Sequence, residues 1–323
     1  MNLQIILGRV ASRLESIAAG TALGLAASAV MFAGEVHAET PAARSLTAPA
    51  PIARADGDGP ALWAIRDADS TIYLYGTIHM LKPGTAWGSD KVDAAFDRAS
   101  DIWLEVADPN DQSELGPLIQ QYGLSPARPL SSRLTESELT AFADAARADG
   151  LNPTQMDPLS PWFAAVMIAT APLGVAGYDP ALAVELNLRS RAQAAGKPIR
   201  GLETAAQQIG GLARMSDDNQ MIYLRYYLKA HDEAAADMDR AVAGWLVGDQ
   251  SAIAVFAQEN GSDISDEIHQ VLMARRNVNW ADQLETLLEG SGVAFVAVGA
   301  AHLAGEDNLL DLLAARGVSV TRE

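Results

Sequence analysis

The spacing of apolar and polar positions changes character twice along the chain, from strand-like to helical and back. Residues 61–66 (Ala-Leu-Trp-Ala-Ile-Arg) and 71–76 (Thr-Ile-Tyr-Leu-Tyr-Gly) are β-rich and flank an Asp/Ser turn, which predicts a hairpin. Val92, Ala95, Phe96 and Ala99 recur at helical spacing over 90–99, and the mostly apolar run 101–106 predicts a central strand. From about 112 to 290 the pattern is mainly helical. Thr135 with Glu138 is a capping-box signature for a helix through Ala146, and 160–173 is a very apolar helix bounded by prolines. Asp179-Pro180 predicts an N-cap and first turn of a helix to about 195, and 197–202 a short strand. Long helices are expected over 203–240 and 263–290, with a shorter pair between. Residues 293–298 form a buried-type strand, 307–316 an amphipathic helix stopped by Gly317, and 318–320 a last strand. The predicted class is α/β (α+β), with a central mixed sheet formed from the N- and C-terminal parts of the domain and a large helical insert at about 112–290.

Ahead of this domain, residues 1–38 have the form of a signal peptide. Arg9 and Arg13 precede 19 uncharged residues at 16–34, and Val36-His37-Ala38 offers a small-residue cleavage site before Glu39. The uncharged run is just long enough to span a bilayer, so an N-terminal anchor facing the periplasm is the alternative. Its many Ala and Gly favour cleavage, and with it a periplasmic or secreted protein that meets a membrane only through this segment. The Pro/Ala-rich stretch 39–58 is a linker without periodicity, which leaves 59–323 as the folded domain.

Charge and composition remove several classes of function. Acidic residues outnumber basic ones 41 to 23, for a net charge of −18, so a phosphate backbone is repelled and no nucleic-acid partner is expected. The chain has no cysteine, which excludes disulfides, thiolate metal sites and a cysteine nucleophile. It carries no phosphate-loop, dinucleotide or G-x-S-x-G pattern.

Histidine carries the remaining signal. Of five, His37 leaves with the leader, while His231 and His269 fall in polar helical surroundings and are expected to be solvated. The other two sit in matching places: Gly76-Thr77-Ile78-His79 closes one predicted strand, and Gly299-Ala300-Ala301-His302 closes another. Glycine there permits a sharp turn and close backbone approach, and the imidazole is presented at the carboxyl edge of the sheet, where α/β domains bind ligands. Glu105, near the end of 101–106, is a carboxylate that is costly to bury without a partner. If the three strands run parallel, His79, Glu105 and His302 share one edge. Such a set suits a divalent ion (Zn, Mn, Co or ferrous iron) with an activated water. Two hydrogen-bonded structural histidines at strand ends would leave the same trace in the sequence.

The segments Leu74-Tyr75-Gly76-Thr77-Ile78-His79, Trp103-Leu104-Glu105, Gly177-Tyr178-Asp179, Gly201-Leu202-Glu203-Thr204, Arg276-Asn277 and Val298-Gly299-Ala300-Ala301-His302 together resemble the TraB/GumN family. That family is related to the Tiki metalloproteases and more distantly to erythromycin esterases. The resemblance covers about 60–322 and implies a sheet built from both termini, a helical insert and a site centred on the two histidines and the glutamate. Through the Tiki branch it implies metal-dependent hydrolysis of peptide bonds. Chemistry assigns expected roles to the other matching positions. Glu203 is a general base or an orienter of a histidine, Arg276 holds a substrate carboxylate or an oxyanion, and Asn277 donates in the same pocket. Asp179 is first of all an N-cap. The leading expectation is a periplasmic metal-dependent hydrolase of amide or peptide bonds acting on a peptide or small-molecule substrate. Its competitors are a non-catalytic envelope protein that binds a ligand or serves a polysaccharide pathway, and a metal-independent, esterase-like enzyme with a histidine base.

Overall fold

The computed structural model of the chain describes residues 52–261 and 263–323. The expected leader, its His37 and the first part of the linker lie outside the described residues. In chain order the elements are β1 (Leu62–Arg66), β2 (Ser70–Thr77), α1 (Asp90–Arg98), β3 (Asp101–Leu104), α2 (Gln112–Tyr122), α3 (Glu136–Ala148), α4 (Pro161–Val175), α5 (Val184–Ala194), β4 (Ile199–Gly201), α6 (Ala205–Ala213), α7 (Asp217–Ala230), α8 (Ala234–Leu246), α9 (Gln250–Glu259), α10 (Arg275–Leu288), β5 (Gly292–Gly299), α11 (Leu309–Ala315) and β6 (Val320–Arg322).

The six strands form one mixed sheet in the order β4-β3-β5-β2-β1-β6. The predicted hairpin is β1–β2, and Asp67 builds its turn by accepting the Asp69 and Ser70 N–H groups on Oδ1 at 3.1 and 2.7 Å. β6 also pairs antiparallel with β1, whereas β2, β5, β3 and β4 run parallel. The register sets Thr77 beside Gly299 and Leu104 beside Ala297, so β2, β5 and β3 end at one edge. The sheet draws on both ends of the domain because β5 inserts between β2 and β3.

The chain divides into two compact units. The first comprises Pro109–Pro180 and Ala205–Ala235. The second comprises the described residues up to Asp108, with Ala181–Thr204 and Ala236–Glu323. The helical stretch between β3 and β5 is therefore not one body, since parts of it belong with the sheet. In the first unit α7 packs on α4 and α2 on α6. α4 is buried around nearly its whole circumference, as expected of a helix apolar on all sides. Its Trp162 is fully buried and donates from Nε1 to the Tyr122 carbonyl at 2.9 Å, which makes it a core residue. Thr135 and Glu138 form the predicted capping box.

In the second unit one sheet face packs Trp63, Ile65, Ile72, Leu74, Val296 and Val298 against Trp280, Leu284 and Leu288 of α10 and Leu309 and Leu313 of α11. The opposite face is aromatic. Phe295 meets Phe96 edge-on at 5.5 Å and Tyr75 at 5.8 Å, and Tyr75 meets Trp245 at 6.4 Å. Among the described residues no helix is long and apolar enough to cross a membrane.

Several expected boundaries move. The helix expected over 203–240 is three, because Ser216 caps α7 by accepting the Asn219 N–H and a 3-10 turn at His231–Glu233 separates α7 from α8. The helix expected over 263–290 begins as a single turn at Asp266–His269, passes through a π turn at Gln270–Ala274 and continues as α10. One shorter helix, α9, stands where a pair was expected. Asp179 opens no α-helix: a 3-10 turn at Pro180–Leu182 follows it, and α5 starts at Val184. The last strand is Val320–Arg322 rather than 318–320.

Candidate functional site

All six candidate residues, His79, Glu105 and His302 from the strand-end pattern and Glu203, Arg276 and Asn277 from the family resemblance, come together in the second unit, and all are at most 9 % exposed. The parallel strands explain the convergence. His79 follows β2, Glu105 follows β3, and His302 lies in a 3-10 turn, Ala300–Leu303, that follows β5. Arg276 and Asn277 come from the first turn of α10, and Glu203 from the loop after β4. The glycines of the two Gly-x-x-His turns supply space rather than unusual backbone. A Cβ on Gly76 would stand 3.0 Å from the Cα of Ala300, and one on Gly299 3.1 Å from Glu105 Oε1 and 3.2 Å from His79 Nε2. Neither has a positive φ, so close approach is the operative half of the glycine argument.

Arg276 is the hub. Its Nε donates to Glu203 at 3.0 Å, its Nη2 to Glu203 at 2.6 Å and to Glu105 Oε2 at 2.5 Å, and its Nη1 to the Leu272 carbonyl at 3.1 Å and to His302 Nε2 at 2.9 Å. These contacts engage all five N–H groups of a guanidinium. Trp280 lies under the group, with its ring centre 4.6 Å from Cζ. Arg276 is thus occupied with holding the cluster, and the expected hold on a substrate carboxylate or oxyanion has no N–H left to serve it. Both oxygens of Glu203 face the same guanidinium, an arrangement of counter-ion rather than free base.

Glu105 accepts from Gly299 N–H on Oε1 at 2.6 Å and from Arg276 on Oε2. Burial opposes its charge, but Arg276 first, then the two imidazoles and the Gly299 N–H, hold its carboxyl down at about 2. His302 is almost fully buried. Its Nδ1 donates to Asn277 Oδ1 at 2.7 Å, and the Asn277 amide is oriented by donating from Nδ2 to the Asp307 carbonyl at 2.8 Å. Nε2 is therefore the acceptor for Arg276. Burial and the adjacent guanidinium push His302 down to about 3, so it is neutral at physiological pH.

His79 differs. Its Nδ1 donates to Glu185 Oε1 at 2.5 Å, while the buried Nε2 has no hydrogen-bond partner among the described residues and lies 3.9 Å from Glu105 Oε1. Burial disfavours the imidazolium, but Glu185 and then Glu105 outweigh it and raise its pKa to about 9. Sequence analysis missed Glu185. It stands in the first turn of α5, and the N–H of Val184 beside it donates to the Ile78 carbonyl at 3.0 Å, which ties α5 to the His79 turn. No local pattern marks that contact. A helix start placed at Val184 would have flagged only a carboxylate favourable to the dipole.

Two imidazoles and a carboxylate are a common donor set for a transition-metal ion. Here both oxygens of Glu105 and Nε2 of His302 already serve Arg276 and Gly299. Among the described residues no three His, Asp or Glu groups are arranged to hold a metal. As placed, Nε2 of His302 is committed to Arg276 and each Glu105 oxygen already accepts a hydrogen bond, so the set does not fit a divalent ion.

Of the two histidines expected to be solvated, His269 is buried and His231 is partly buried and paired. His231 sits between Asp149, 2.7 Å from its Nε2, and Asp232, 2.9 Å from its Nδ1. His269 is 8 % exposed and approaches Asp307 Oδ2 at 3.2 Å.

A family model described as the TraB/PrgY/gumN family matches residues 61–322. An uncharacterized protein of Treponema pallidum (strain Nichols) is 22 % identical over 271 residues, covering 79 % of this chain and 80 % of its own. The uncharacterized protein YbaP of Escherichia coli (strain K12) is 26 % identical over 190 residues, covering 57 % of this chain and 67 % of its own, and its namesake in Shigella flexneri matches to the same extent. No solved structure gives a significant match.

Proposed function

The chain belongs to the TraB/PrgY/gumN family, and from that premise we propose that it hydrolyses an amide or ester bond, with His79 as proton carrier and Glu185 as the group that orients it. One observation carries the proposal: a buried imidazole is tied at Nδ1 to a carboxylate while its Nε2 has no hydrogen-bond partner among the described residues and faces Gly299, where a Cβ would stand 3.2 Å from it. A nucleophile's base held in one tautomer by a carboxylate is the logic of the catalytic triads, here with water in place of a serine.

In the proposed reaction neutral His79 accepts a proton from water on Nε2 as the water oxygen bonds to the substrate carbonyl carbon. The tetrahedral adduct collapses with cleavage of the C–N or C–O bond. The imidazolium, compensated by Glu185, returns the proton to the departing amine or alkoxide. Glu105 Oε1 is close enough to Nε2 for one water to touch both. Arg276, fully engaged, fixes Glu105 and Glu203 and keeps His302 neutral. Glu105 and Glu203 flank Arg276 and Glu185 flanks His79, so the three carboxylates exceed the cationic groups even with His79 protonated, which favours a neutral or cationic peptide or small molecule over an anionic one.

The test is turnover of a panel of p-nitrophenyl esters and fluorogenic peptides by the purified protein. Hydrolysis that falls at least about 100-fold in both His79→Ala and Glu185→Gln, with the folded state intact, supports the assignment. Hydrolysis untouched by His79→Ala overturns it. We further propose that the protein acts in the periplasm, on the strength of the leader pattern over 1–38. Mature protein beginning at Glu39 in a periplasmic extract agrees with this; full-length protein in the cytosolic fraction refutes it.

A further inference from the structure

Between the Arg276 hub and the loop before α11 runs a second line of contacts that the proposed reaction does not use. His269 closes the single helical turn Asp266–His269. The π turn after it inserts one extra residue, so that the Arg275 N–H reaches back to the Gln270 carbonyl instead of stopping four residues away. π turns of this kind interrupt helices most often where a side chain must be re-aimed at a functional site. Here the turn delivers Arg276 and Asn277 side by side into the cluster.

Opposite them stands Asp307, the one non-glycine among the described residues with a positive φ, at 50°. L-residues adopt this left-handed backbone uncommonly, with Asp and Asn the most tolerant. In that conformation its main-chain carbonyl accepts from Asn277 Nδ2 at 2.8 Å, and its carboxylate meets the buried His269 Nε2 at 3.2 Å. Asparagine has a donor end and an acceptor end. With Nδ2 committed to the Asp307 carbonyl, Oδ1 must face His302 Nδ1, which lies 2.7 Å away. His302 then carries its proton on Nδ1 and keeps the Nε2 lone pair for Arg276. Were the amide reversed, Nδ2 would face Nδ1, the proton would move to Nε2, and that N–H would confront the guanidinium donor.

We propose that Asp307 is a positioning residue: held in left-handed backbone and clamped by His269, it orients the Asn277 amide and so selects the His302 tautomer that lets Arg276 hold both glutamates. The assignment goes beyond the hydrolytic proposal and stands or falls separately from it, because its readout needs no substrate.

The experiment is two-bond proton–nitrogen correlation of the histidine side chains in the 15N-labelled full chain, with His302 identified by loss of its signals in His302→Gln. Wild-type His302 is expected to show one tautomer, protonated on Nδ1 with an unprotonated Nε2. Asp307→Asn keeps both the left-handed backbone and a side-chain oxygen for His269 and is expected to keep that pattern. Asp307→Val cannot hold this backbone and is expected to lose it, showing Nε2–H or a mixture of tautomers. His269→Phe releases the clamp and is expected to reveal the second tautomer beside the first. A wild-type His302 protonated on Nε2, an Asp307→Val protein with the wild-type pattern, or an Asp307→Asn protein that loses it overturns the assignment. A pure wild-type pattern in His269→Phe removes the clamp from it.

Discussion

Replacing Arg276 by methionine keeps most of the side-chain volume and removes the charge from a cluster in which it faces Glu105 and Glu203. The magnitude can be worked from Glu105, whose pKa falls from an ordinary 4.5 to about 2 in the folded protein. A depression of that size corresponds to roughly 3 kcal/mol of stability at neutral pH. Breaking a buried ion pair from one side costs about 3–5 kcal/mol, because the carboxylates left behind lose their main counter-charge. At about 2–4 °C per kcal/mol for a chain of this size, Arg276→Met should lower Tm by roughly 6–20 °C at pH 7. Because the Glu105 pKa is depressed on folding, its contribution is complete above the unfolded pKa and is lost as pH falls through about 2. The variant's orphaned carboxylates are shifted the opposite way, so it gains stability on acidification while the wild type loses it. Calorimetry at pH 7 and at pH 4 should show the gap between the two proteins narrowing. Adding Glu105→Gln and Glu203→Gln to Arg276→Met should recover part of the loss, since removing both partners leaves no buried charge. A variant as stable as wild type at pH 7, or a gap that stays constant from pH 7 to pH 4, would refute the account of Arg276 as the cluster's counter-charge.

Further outcomes follow from the same geometry. With His79 raised to about 9 by Glu185, roughly one imidazole in a hundred is the free base at pH 7, so kcat/KM for hydrolysis should climb with pH and level off near 9. Glu185→Gln should move that limb to lower pH while lowering the plateau, and a profile flat from pH 6 to 10 would contradict His79 as base. Gly299→Ala puts a methyl 3.1 Å from Glu105 Oε1 and 3.2 Å from His79 Nε2. It should cost about 1–3 kcal/mol in denaturant unfolding and block turnover, and a fully active, equally stable variant would mean the space is not used. Because Glu105 and His302 are engaged by Arg276 and Gly299, a chelator should leave hydrolysis unchanged. Metal content measured without an affinity tag should then be the same in wild type and in the His79→Ala, His302→Ala double variant; chelator-sensitive turnover restored by added metal would refute this.

The sequence by itself determined the α/β class, the hairpin and the strands that line the sheet, because alternation, glycine and Asx-turn chemistry act over a few residues. Gly-x-x-His after an apolar strand and a glutamate at a strand end also marked His79, His302 and Glu105 without coordinates, and the family resemblance added Glu203, Arg276 and Asn277. Their partnerships were decided only by tertiary structure. Glu185 reaches His79 through a hydrogen bond between α5 and the turn after β2, Asp307 reaches Asn277 across 30 residues, and the π turn before Arg276 has no composition that announces it. The pairing of His231 and the burial of His269 were likewise invisible in a polar local context, because the carboxylates that meet them, Asp149 and Asp307, lie 82 and 38 residues away. Local propensity names the side chains available for chemistry. Which atom of each is spent on a neighbour and which is left open depends on contacts between segments far apart in the chain, and those exist only once the sheet and helices have packed.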